Sequence, residues 1–202
     1  MPTYLEVEYP KINRRYVREL TRYIVKRFFT ATGRLLDVGS GTGDYVYFFS
    51  PFFRQTEGLD VPFDLENEYF PYPDNHFDYV FSKSTLEHIT NTQHVLLETG
   101  RVLASGGVVV FMVPDWNSQW KSFYDDSTHV KPFTKKGLMQ AFQLAGFRDI
   151  KCEYFYQLPF TWRHGWLRFV PHILDLVPYG WRMCCKLLRF SNERMLLLRA
   201  RR

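Results

Sequence analysis

A chain of 202 residues, 46% of them hydrophobic, is long enough to bury one full core and too apolar to stay disordered, so one domain is expected over 1–202. The net charge of +5 is uneven: residues 1–34 carry eight Lys/Arg against three acids, 35–150 eight against fifteen, and 151–202 ten against three. Cys152, Cys184 and Cys185 match no zinc spacing or disulfide framework, the start lacks a basic-then-apolar leader, and no apolar run reaches about 18 residues; a zinc ribbon, a disulfide scaffold and a membrane span are excluded, and a cytoplasmic location is expected.

Residues 1–33 should end in a helix, because Ile12, Tyr16, Leu20, Ile24 and Phe28 recur every four residues between basic positions and Gly33 stops the pattern. RLLDV (34–38) reads as a short buried strand. A turn of Gly39, Ser40, Gly41, Thr42 and Gly43 follows, then a helix at 45–50 that Pro51 ends. QTEGLD (55–60) and FDYVFS (77–82) read as the next strands, with a short stretch between them. Val95, Leu96, Thr99, Val102 and Leu103 mark a helix over 92–103, ended by Gly106 and Gly107, and VVVFMV (108–113) is a buried strand. A helix over 134–147 has a Thr134 cap and a Gly146 stop, and the last strands are 148–156 and 193–200. Strand alternating with helix gives an α/β fold with a doubly wound, mostly parallel sheet, which binds ligands at the carboxyl ends of its strands.

The chemistry concentrates at such ends. A strand closing on Asp37 enters a glycine turn, where bare backbone admits a ligand closely and a helix start offers free N–H donors. The dinucleotide fingerprint G-x-G-x-x-G fails at Asp44, and a negative side chain there disfavours a pyrophosphate; a cationic amine with a sulfonium suits it better. Asp60, ending the second strand, either accepts from two ribose hydroxyls or caps a turn.

In succession LLDVGSGTGDY, EGLDV, FPYPDNHFDYVFS, LEHI, RVLASGGVVVFMVP and THVKPFT resemble the signatures of the type 11 group of class I S-adenosylmethionine-dependent methyltransferases, over about residues 33–147. The resemblance implies a Rossmann-like sheet of seven strands, with S-adenosyl-L-methionine as cofactor and S-adenosyl-L-homocysteine as product. It implies that Asp37, Gly39, Ser40, Gly41 and Gly43 surround the methionine part, that Asp60 holds the ribose, and that Asp64 and Leu65 meet the adenine. Phe77 and Asp78 open the strand lining the other side. Related quinone O-methyltransferases place an acid three residues before the Glu-His pair, and the three hold a divalent metal. Ser84 stands at that position here, so no metal is expected, although Glu87 and His88 remain.

A hydroxyl acceptor needs a base, and imidazole is the usual one near neutral pH. His129, His88 and Asp115 are the catalytic candidates, with Asp125 and Asp126 nearby in sequence; His129 is either a base or substrate ligand, or a loop histidine bonded to backbone, and His88 otherwise orients a helix. Residues 157–192, with Trp162, Arg163, Trp166, Arg168, Phe169, Trp181 and Arg182, form a helical, aromatic insertion before the last strand, expected as a lid or acceptor platform. Glu87, Asp126, Trp162 and Arg163 are the expected substrate contacts. The THVKPFT loop and the aromatic, basic tail look most like glycan-decorating members. The expected reaction is O-methylation of a small-molecule or glycan acceptor, at a sugar hydroxyl such as that of rhamnose. A lipid or quinone acceptor at a membrane reached by the basic C-terminal region, and a cofactor-binding module without catalysis, are the alternatives. Nucleic acid is not an expected partner, since SKST (82–85) stands where planar-nitrogen enzymes carry N-P-P-[YF].

Overall fold

Six segments pair into one mixed sheet in the computed structural model, which describes residues 13–30, 32–159, 162, 170 and 194–202. They are β1 (Arg34–Val38), β2 (Gln55–Leu59), β3 (Phe77–Lys83), β4 (Leu103–Pro114), β5 (Arg148–Tyr156) and β6 (Arg194–Arg201), in the order β2-β1-β3-β4-β6-β5. β1 pairs in parallel with β2 and β3, and β3 with β4, whereas β6 runs antiparallel to both β4 and β5.

All six segments read as strands are strands, but the seventh is missing among the described residues. Between β2 and β3, residues 60–76 form turns only. A further parallel strand outside β2 would need two crossovers of about a dozen residues each, and this stretch has no room for them. β2 is therefore the edge of the sheet.

The strands are apolar on both faces because both faces are covered. Leu35, Phe81, Val110, Met112 and Leu197 pack with Leu20 and Ile24 of α1 (Arg14–Phe28) and Phe49 of α2 (Asp44–Phe49). Their neighbours Leu36, Val80, Val109, Phe111 and Leu198 point the other way, against Val95 and Leu96 of α3 (Thr92–Val102) and Leu138 and Phe142 of α5 (Lys135–Leu144). Between β4 and α5 lie a short helix, α4 (Trp116–Gln119), and a single 3-10 turn at Phe123–Asp125.

Three local expectations change. The buried face of α1 is Val17, Leu20, Thr21, Ile24 and Val25, since a turn of about 3.6 residues rotates a strict four-residue repeat off the core. Gly33 does not stop α1, which ends at Phe28; it carries φ +121° where a Cβ would meet the Asp78 carboxylate at 2.7 Å. Gly106 and Gly107 lie inside β4, which starts at Leu103, beside an irregularity in its pairing with β3. Most of the 157–192 insertion lies outside the described residues. No helix among the described residues is long and apolar enough to cross a membrane.

Candidate active site

Because β1, β2 and β3 are parallel, their carboxyl ends share one edge of the sheet, and a cleft of about 700 Å³ opens there. One wall is the turn Gly39–Thr42 with Asp44 and Tyr45. Residues 60–66 form a second wall. Lys83, Ser84, Thr85, His88 and Ile89 form a third, completed by Asp126 and Thr128.

The glycine turn is held as bare backbone. Gly39, Gly41 and Gly43 all have positive φ, a region that side chains disfavour. A Cβ on Gly39 would meet Thr85 Oγ1 at 2.1 Å, whereas at Gly41 and Gly43 it would stand in open space. Thr85 Oγ1 donates to the Val38 carbonyl at 3.2 Å, tying the end of β3 to the end of β1. The Asp60 carboxylate accepts from the Gly41 N–H and, at 2.7 Å, from the Val61 N–H, so it fixes the turn as well as facing the cleft.

Asp37 is 1% exposed, and its Oδ2 has no partner. Burial, with the negative charge of Asp60 adding to it, pushes its pKa up to about 8. Asp37 does not itself line the cleft; it sits in β1 two residues before Gly39, which does. Asp64 accepts from the Asn67 side chain at 2.8 Å and the Glu66 N–H at 2.9 Å, and these bonds, the Asn67 one foremost, hold its carboxyl below the usual range. Leu65 is both cleft wall and core. Phe77 and Asp78 lie at the opposite end of β3, Phe77 in the core and Asp78 accepting the Arg34 N–H at 2.8 Å.

On the far wall the chain leaves β3 through Ser84, at φ +56°, into a short turn over Leu86–His88. The Glu87 carbonyl accepts from the N–H groups of Val130 and Lys131, at 2.8 and 3.0 Å, which docks the 126–131 loop on this turn. His88 and His129 are thereby brought to 4.7 Å between ring centres. Thr128 Oγ1 donates its one proton to Asp126 Oδ1 at 2.6 Å, so its 2.8 Å contact with His88 Nδ1 is one in which the imidazole donates. His129 Nδ1 likewise donates to the Phe123 carbonyl at 2.6 Å. Glu87 is 1% exposed, its Oε2 lacks a partner, and burial pushes its pKa up to about 8. Burial first, then the neighbouring His129, hold His88 below the ordinary imidazole value. Glu87, His88 and His129 each present a donor atom within 4.8 Å of the others.

Two expected site residues have other roles. Asp115 is fully buried and off the cleft; its Oδ2 takes Arg194 Nη2 at 2.6 Å and Nε at 2.9 Å, so it is half of an ion pair and not a free base. Trp162 packs on Phe155 at 4.9 Å and on Tyr16 and Tyr23, and donates to the Tyr156 carbonyl at 2.7 Å, where it joins α1 to β5. Arg163 lies outside the described residues. Conversely, Tyr45, Phe63, Lys83, Thr85 and Thr128 line the cleft without having been singled out. For Lys83 and Thr85 the signal was present, since they directly follow a buried strand.

A family model described as a methyltransferase domain matches residues 10–151. An uncharacterized protein of Methanocaldococcus jannaschii is 25% identical over 156 residues, 67% of this chain and 71% of its own length. Among solved structures, a SAM-dependent methyltransferase from Archaeoglobus fulgidus superposes with a TM-score of 0.67 at 20% identity, covering 94% of each chain. A phosphoethanolamine N-methyltransferase from Haemonchus contortus, in complex with phosphomonomethylethanolamine and S-adenosylhomocysteine, gives 0.64 at 19% identity over 91% of this chain and 52% of its own.

Proposed function

The chain belongs to the methyltransferase domain family, and we propose that it transfers a methyl group from S-adenosyl-L-methionine to a sugar hydroxyl, as on a deoxyhexose. The observation that carries this reading is the division of the cleft: a bare glycine turn over an unpartnered buried carboxylate on one side, and on the other a hydrogen-bonding wall that includes His88, with His129 packed behind it.

The residues of the first side fit the cofactor. The orphaned Asp37 oxygen suits the electrostatics of a cationic amine, Asp60 faces the cleft as an acceptor for ribose hydroxyls, and Leu65 with Phe63 supplies apolar wall for an adenine. When bound, the cofactor supplies an electrophilic methyl carbon on a positively charged sulfur.

The opposite side supports a polyhydroxylated acceptor. Lys83, Ser84, Thr85, His88, Asp126 and Thr128 all carry hydrogen-bonding side chains, a wall better suited to sorting hydroxyls than to a flat quinone, which asks for aromatic or aliphatic surface. A neutral hydroxyl is a weak nucleophile, and the corner at His88 and His129 is where its proton is handled. Orientation against the methyl carbon supplies much of the rate.

The test is turnover of methyl-labelled cofactor on a panel of sugar nucleotides, glycosides, quinols and phospholipid vesicles, read by mass spectrometry. The expected result is a gain of one methylene on a sugar. Transfer to a quinol or a lipid alone would replace the acceptor class. Calorimetry in which neither cofactor form binds while NAD does would overturn methyl transfer itself.

A further inference from the structure

We propose that Glu87, His88 and His129 form a three-ligand site for a divalent first-row transition ion, at the acceptor end of the cleft. Their donor atoms lie within 4.8 Å of one another, and two independent features point to a cation between them.

The first is the set of imidazole hydrogen bonds. His88 Nδ1–H donates to Thr128, whose own proton goes to Asp126, and His129 Nδ1–H donates to the Phe123 carbonyl. In its neutral form each ring is thus held in the tautomer that leaves a lone pair on Nε2. Orientation of a ligating imidazole through its other nitrogen is what metal sites use. The second is Glu87. Its carboxylate is 1% exposed and its Oε2 is without a partner, an arrangement that costs free energy unless a ligand completes it.

The donor chemistry selects the ion. Two imidazole nitrogens and one carboxylate suit zinc, cobalt or iron(II), while magnesium takes oxygens and keeps its waters. Three protein ligands leave a coordination position open, and His88 is on the cleft wall. An ion held there would make an acceptor hydroxyl bound in that position more acidic, its proton leaving to solvent. This last consequence rests on the methyl-transfer reading; the site itself does not. The docking of the 126–131 loop on the Leu86–His88 turn is what brings His129 to this pair as the third ligand.

The full-length chain, stripped with a chelator and dialysed, is titrated with cobalt(II) in the absence of cofactor and acceptor. One equivalent should bind, with visible absorption bands of a nitrogen- and oxygen-ligated ion. Since loss of an outer-shell partner alone costs about 10–100-fold in affinity, His88→Ala, His129→Ala and Glu87→Gln should each weaken binding by more than about 100-fold. His94→Ala, outside the cluster, should leave it unchanged. Zinc should raise the melting temperature of the parent chain but of none of the three ligand variants; circular dichroism shows whether each variant is folded. Glu87→Gln keeps the shape of the side chain, so it tests the site even where an alanine variant fails to fold. Absence of cobalt bands, binding indifferent to all three folded substitutions, or displacement of cobalt by equimolar magnesium would overturn the assignment. A chain that binds cobalt through these residues yet methylates nothing would refute the enzymatic reading alone. One that methylates sugars and binds no ion would refute this site alone.

Discussion

Asp37, proposed to serve the cofactor, is buried at a cost to stability. An unperturbed aspartate titrates near about 4, and burial lifts this one to about 8. Between those values the folded chain holds a proton that the unfolded chain has released, so stability falls as pH rises through the window and is level above it. Asp37→Asn has nothing to ionise. The variant should gain on the parent progressively from about pH 5 to pH 8, by roughly 2–5 kcal/mol at the upper end, while losing cofactor binding, as expected of a site kept at the expense of stability. Urea unfolding of both proteins at the two pH values checks this, and identical pH dependence would remove Asp37 from the account. The same carboxyl sets a binding prediction. If its ionised form faces the cofactor's amine, affinity for S-adenosyl-L-homocysteine should strengthen between about pH 6 and pH 8, by up to about tenfold per unit. Calorimetry at three pH values reads it, and a flat profile would mean that Asp37 stays neutral in the complex.

At the scale of elements, the short 60–76 segment has to form a cleft wall with no strand or helix of its own. It is held from α3. Glu98, 4% exposed, accepts from the Phe70 N–H, and Arg101 bonds Glu98, Asp74 and the carbonyls of Phe70 and Tyr72. Removing the guanidinium would leave Glu98 buried without its counter-charge. Arg101→Ala should therefore cost about 3 kcal/mol and weaken cofactor binding through Asp60–Glu66. Arg101→Lys should rescue little, because one ammonium does not span four acceptors. Unchanged cofactor affinity in a folded Arg101→Ala chain would show that the wall holds without this clamp. Such dependence also explains what was legible in the sequence. The six strands and the glycine turn were, because period, punctuation and a turn of glycines are local signals. The missing seventh strand followed from a short connection, itself visible in the sequence, whose length left no room for it. The pairing of His88 with His129 was not legible, because it arises from Val130 and Lys131 bonding the Glu87 carbonyl. Trp162 shows the converse: an aromatic residue reads alike in a core and in a pocket, and only the structure shows this one partly buried against Phe155, Tyr16 and Tyr23.

At the scale of the molecule, the strand latest in sequence is not the edge of the sheet. β6 comes from the end of the chain yet lies between β4 and β5, with Leu196, Leu197, Leu198 and Ala200 buried. Its contacts are distant in sequence, so loop closure must precede the gain from burial. The ion pair of Asp115 with Arg194 marks where the last strand docks, joining the end of β4 to the first residue of β6, and the Arg194 carbonyl accepts from the Asp115 N–H at 3.0 Å. Asp115 is wholly buried and its Oδ1 has no partner, so the pair tolerates removal of both charges better than of one. Arg194→Met should lose about 3 kcal/mol by leaving the carboxylate uncompensated. Asp115→Asn combined with Arg194→Met should recover most of that loss, since an amide and a thioether are far cheaper to bury than a lone charge. Chemical denaturation of the parent, both single variants and the double variant closes the cycle. If the double variant is as unstable as the sum of the singles, the two side chains do not act on each other, and β6 is held by its backbone ladders and apolar contacts without this pair.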